Sequence, residues 1–110
     1  MAKTIIQNMN YYDGLQLAFL DNMVLSIKRA VEKHVTDAEL SKKIVESVTF
    51  AVCCDIDGSS IVKYDEKSLA PALCFEEDDN KLVVGPSWMH DYAFDAVNDV
   101  YFPEDENEKL

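Results

Sequence analysis

From residue 13 to residue 34 the apolar side chains recur every three or four positions. Leu15, Phe19, Met23, Ile27, Ala30, Val31 and His34 form one stripe, and Leu17, Leu20 and Val24 widen it. The spacing predicts an amphipathic helix with a broad buried face. Such a face needs a covering layer, from elsewhere in the chain or from a second copy in a homodimer. Lys28, Arg29 and Lys33 lie near the C-terminal end of the stripe, where positive charge suits the helix dipole.

A second helix is expected from Thr36. Thr36 and Glu39 have the spacing of a capping box, and Leu40, Ile44, Val45 and Val48 continue the apolar stripe. The rhythm then changes. Residues 48–56, VTFAVCCDI, are rich in β-branched and aromatic types, with Phe50, Val52, Cys54 and Ile56 at period two. They read as a strand, with Asp57-Gly58 as a hairpin turn and residues 61–64 returning. Residues 70–76 and 82–84 read as two further strands around the polar turn Glu77-Asp78-Asp79-Asn80. A last helix is expected from Ser87, as N-cap, to Phe102, before Pro103. The expected architecture is one α+β domain over residues 1–110, in the order α-α-β-β-β-β-α. Its helices pack on one face of a small antiparallel sheet, and residues 103–110 form an acidic, frayed tail.

A chain of 110 residues that is 48% apolar can bury one core. Its first residues lack the apolar run of a signal peptide, and no stretch is long and apolar enough to cross a bilayer. Cys53, Cys54 and Cys74 are odd in number and lie in apolar stretches. They read as reduced, small hydrophobes, and the expected location is the cytoplasm.

The charge is lopsided. Residues 1–50 carry six Lys or Arg and six Asp or Glu, whereas residues 51–110 carry four Lys and fifteen acids, so the second half holds the entire net charge of -11. Such a surface disfavours nucleic acid and anionic membrane and complements a basic protein. The most regular spacing of that charge is on the last helix. Asp91, Asp95 and Asp99 recur every four residues and form one ridge, opposite an apolar stripe of Met89, Ala93, Ala96, Val97 and Val100. Trp88, Tyr92, Phe94, Tyr101 and Phe102 circle the same helix, more than one stripe buries, and aromatics beside charge are what interface hot spots are made of.

Residues 55–66, DIDGSSIVKYDE, resemble the calcium loop of the EF-hand family. That resemblance implies side-chain oxygen ligands at Asp55, Asp57, Ser59 and Glu66, with the carbonyl of Ile61. The sequence departs from it at Ser60, where the family has glycine, and at Lys63. Pro71 then interrupts the helix that should follow. The Asp55-Ile56-Asp57-Gly58 stretch is also similar to the first motif of haloacid-dehalogenase-like phosphatases, which implies a nucleophile at Asp55, an acid/base at Asp57 and a preceding strand. No glycine-rich phosphate loop or nucleophile elbow is present, and no enzyme is expected. No cofactor is implied. The expected function is neutralisation or adaptation of a basic protein, such as a toxin or nuclease, as in immunity proteins, nuclease inhibitors and nucleic-acid mimics. Asp91, Asp95, Asp99, Trp88, Tyr92 and Phe94 form the expected contact surface.

Overall fold

The computed structural model describes residues 3–58, 61–78 and 80–103. Its elements are β1 (Thr4–Gln7), α1 (Met9–Glu32), α2 (Ala38–Ile56), β2 (Val62–Tyr64), β3 (Lys67–Leu69), β4 (Cys74–Glu77), β5 (Lys81–Val84) and α3 (Met89–Tyr101). The α+β class and the α-α-β-β-β-β-α order both hold, with β1 added in front. Among the described residues, no helix is long and apolar enough to cross a membrane.

Local chemistry sets the helix ends. The Asn8 side chain caps α1, accepting from the Tyr11 N–H at 3.0 Å, so the helix starts four residues before the expected point. At α2 the cap is Asp37 rather than Thr36, with its Oδ1 accepting from the Leu40 N–H at 2.9 Å. Residues 48–56 are not a strand. They complete α2, because Ser41, Val45, Thr49 and Cys53 also recur every four residues and are all buried. Burying that stripe outweighs the β propensity of Val, Thr and Phe. Asp57-Gly58 therefore ends a helix instead of turning a hairpin, with Gly58 at φ +82°. The hairpin turn is Asp65-Glu66, with φ of 50° and 66°, the positive values that a two-residue hairpin loop of this kind needs.

The strands divide into two sheets. One has the order β1-β5-β4, and β2 pairs only with β3. β4 and β5 form an antiparallel hairpin, whereas β1 runs parallel to β5, with Ile6 opposite Val83. α1 and α2 lie within the long connection that a parallel pair requires.

The core is a three-helix bundle. Leu20 and Val24 of α1, Val45 and Cys53 of α2, and Met89, Ala93, Ala96 and Val97 of α3 are buried against each other. The larger sheet docks on α1 through Phe75, whose ring meets the edges of Tyr12 and Phe19 at 5.6 and 6.1 Å between centroids. Gly85 makes that seat possible, since a Cβ there would lie 2.6 Å from Cγ of Tyr12. The Tyr12 hydroxyl donates to the Leu73 carbonyl at 2.7 Å. By contrast, every residue from 61 to 72 is exposed, so β2 and β3 project as an arm.

Candidate interaction surface

α3 has no cap of its own. Its N-cap position is Trp88, whose indole cannot accept a hydrogen bond, so that side chain does not close the helix end. Two buried side chains from the other helices do so instead. Gln16 of α1 is fully buried, and its Oε1 accepts from the Trp88 N–H at 2.9 Å. Its Nε2 donates to Asp13 at 2.8 Å, which fixes the amide orientation. Asp57, just past the end of α2, has a side chain only 1% exposed. Its Oδ2 accepts from the His90 N–H at 2.7 Å and lies 2.6 Å from His90 Nδ1, and its Oδ1 accepts from the Ser87 hydroxyl.

Burial alone would push the Asp57 carboxyl up. The Ser87 hydroxyl, the His90 backbone and ring, and the Met89 N–H together outweigh that and hold it below the ordinary value. A negative charge at the start of a helix also suits the dipole. Ser87, the expected N-cap, therefore acts at one remove, by donating to the carboxylate that does the capping.

This clamp sets which face of α3 meets solvent. Asp91, Asp95 and Asp99 are all exposed, opposite the buried Met89, Ala93, Ala96 and Val97. Trp88, Tyr92 and Phe94 are 48%, 39% and 48% exposed. The three aspartates share one side of α3 at their four-residue spacing, whereas Tyr92 and Phe94 lie on opposite flanks and Trp88 precedes the first turn. On the α2 flank Phe94 stacks on Phe50, with ring centroids 5.4 Å apart, and the His90 ring lies 6.5 Å from Phe50. On the α1 flank, Leu17, Asp21, Tyr92, Asp95, Ala96 and Asp99 line a groove of about 240 Å³. Asp21 is the member that sequence patterning missed. Its carboxyl is pushed up by burial and then by the charge of Asp99. Its only signal in the sequence is the four-residue step from Leu17 to Asp21, which places both on one flank of α1.

The residues expected to hold calcium are scattered. Asp55 is exposed on the last turn of α2, Asp57 is consumed by the clamp, Ile61 opens the projecting arm, and Glu66 sits in its turn. Ser59 lies outside the described residues. A strand rather than a helix follows the loop. Among the described residues, no group of three or more His, Cys, Asp or Glu could hold a metal ion. The phosphatase-like motif loses its context as well, because Asp55 follows helical residues and not a strand. Near the polar turn, Glu76 pairs with Lys3 at 2.6 Å and Glu77 accepts from the Tyr11 hydroxyl. The three cysteines are free, and burial pushes the Cys53 thiol up to about 12, which makes it a core hydrophobe rather than a nucleophile.

No protein-family model, curated protein or solved structure matches this chain.

Proposed function

We propose that this chain binds and neutralises, or adapts, a basic protein through the outer face of α3. One observation carries the reading. Three regularly spaced carboxylates lie on the exposed side of one helix with exposed aromatics on both of its flanks, and buried side chains from α1 and from the end of α2 hold that helix. The carboxylates would steer a cationic partner at long range, and the aromatics would supply contact area once water is excluded. A cationic site built for phosphates, such as that of a nuclease or toxin, is the natural complement. A cytoplasmic location belongs to the same reading, since three free cysteines stay reduced there.

Affinity capture from the native host tests the proposal. A basic protein should be retained at low salt, released at high salt, and lost when Asp91, Asp95 and Asp99 are changed to Lys. Retention that ignores both salt and charge reversal would sink it. Calcium binding through residues 55–66 has less support, because Asp57 already accepts hydrogen bonds at both oxygens. A calorimetric titration with calcium is expected to be flat.

A further inference from the structure

The chain's own lysines show what chemistry α3 accepts. At its C-terminal end Lys28 of α1 lies 5.2 Å from the centre of the Tyr101 ring, and Lys42 of α2 lies 5.7 Å from that of Phe102. In each case a cation covers an aromatic face. Closer to the N-terminus of α3, the α1–α3 groove offers the same elements with no cation from the described residues in place. Leu17 and Ala96 give it apolar surface, Tyr92 gives a ring, and Asp21, Asp95 and Asp99 give negative charge.

We propose that this groove seats an arginine side chain of the basic partner, with the guanidinium plane on Tyr92 and its N–H edges on the three carboxylates. The inference rests on the docking role of α3 and adds the residue type that the partner must bring. Arginine fits better than lysine for three reasons. Its planar fork reaches carboxylates in several directions, it stacks on an aromatic ring, and it sheds hydration more readily beside Leu17 and Ala96. The state of Asp21 agrees with this. Burial and the Asp99 charge both oppose its ionisation, and an incoming cation offsets both.

The test uses the full chain and two synthetic peptides of equal length and charge, one arginine-rich and one lysine-rich, in calorimetry at about 0.15 M salt. The arginine peptide should bind about fivefold more tightly. Tyr92→Leu should abolish that preference and leave the lysine peptide's affinity within about twofold. Asp21→Asn should weaken the arginine peptide selectively. Neighbouring groups partly desolvate the Asp21 carboxyl, but both it and Tyr92 keep more than a third of their surface in solvent, so neither change should disturb folding. NMR titration of the Asp21 carboxyl gives a second readout, since the arginine peptide should lower its pKa. Equal affinities, or a preference that survives Tyr92→Leu, would overturn the arginine seat. If equal affinities both fall on Asp91→Asn, which lies outside the groove, the docking surface stands without the seat. If neither peptide binds, both readings fail.

Discussion

Two elements of this molecule, α3 and the β2–β3 arm, carry large apolar side chains into solvent, and they are held by opposite means. α3 presents Trp88, Tyr92 and Phe94, but its other face fills the centre of the bundle, and Gln16 and Asp57 fasten its first turn. The arm presents Val62, Tyr64 and Leu69 on one face, with Tyr64 71% exposed. The other side of the ribbon is exposed as well, and there Lys63 Nζ donates to Ser68 at 2.7 Å. A lone two-stranded ribbon is marginal in water. Its turn also demands positive φ from Asp65 and Glu66, without the freedom of glycine. Exposure therefore does not rank the two surfaces. An interface on α3 loses little conformational entropy, because its side chains stand on a fixed backbone, whereas binding through the arm would have to order it first.

The sharpest way to break this contrast is to cut the clamp. Asp57→Ala leaves the His90 and Met89 N–H groups and the Ser87 hydroxyl without their acceptor, and should cost about 3 kcal/mol in urea denaturation. Amide exchange should quicken first at the start of α3 and approach the rate of the arm. If exchange there is unchanged, the clamp does not hold the helix. The same carboxylate sets an acid dependence. Its folded pKa lies below its unfolded value of about 3.9, so the unfolded state takes up the proton more readily. The stability it contributes is complete above about pH 5 and drains away as pH falls through the folded value. Asp57→Asn should flatten that part of the stability curve.

Gln16→Leu is the next test. It removes the acceptor for the Trp88 N–H but fills much the same volume, so a loss of about 1–2 kcal/mol is expected. The fluorescence of Trp88 should shift if the indole moves with its backbone. On the arm, Tyr64→Ser and Leu69→Ser should each change stability by no more than about 0.5 kcal/mol, because neither residue is buried. A larger loss would mean that the arm packs on something in solution, and sedimentation would then reveal a second copy.

The two regions also differ in how far the sequence disclosed them. The ridge on α3 was legible because a helix repeats every 3.6 residues and its acids and core residues keep that period. The arm was half legible. The pattern at residues 61–64 predicts a strand, but it points to 48–56 as the partner, where β-branched residues imitate a strand while Val45, Thr49 and Cys53 keep a helical step. The clamp was illegible for a different reason. Asp57 stands in a pattern that suggests calcium, and only the meeting of α2 with α3 turns it into a cap. Gln16 and Asp21 follow the same rule, since each acts on an element about seventy residues later and no local spacing points that far. β1 was missed because its partner, β5, lies beyond both helices.

Neutralising the ridge should change stability least and bears most directly on function. Like charges four residues apart on a helix repel by a few tenths of a kcal/mol, and screening by solvent keeps the figure small. Asp91 sits in the first turn, where the dipole favours it, whereas Asp99 lies near the other end and also opposes Asp21. Asp99→Asn should therefore raise stability by a few tenths of a kcal/mol, and Asp91→Asn should not. The gain should fade in about 1 M salt, where the screening length is near 3 Å. A ridge that served only as a solvated face would gain stability on neutralisation and lose nothing. If α3 is the docking helix, the Asp99→Asn protein should be the more stable one and the poorer binder, and that opposition separates a selected surface from an incidental one.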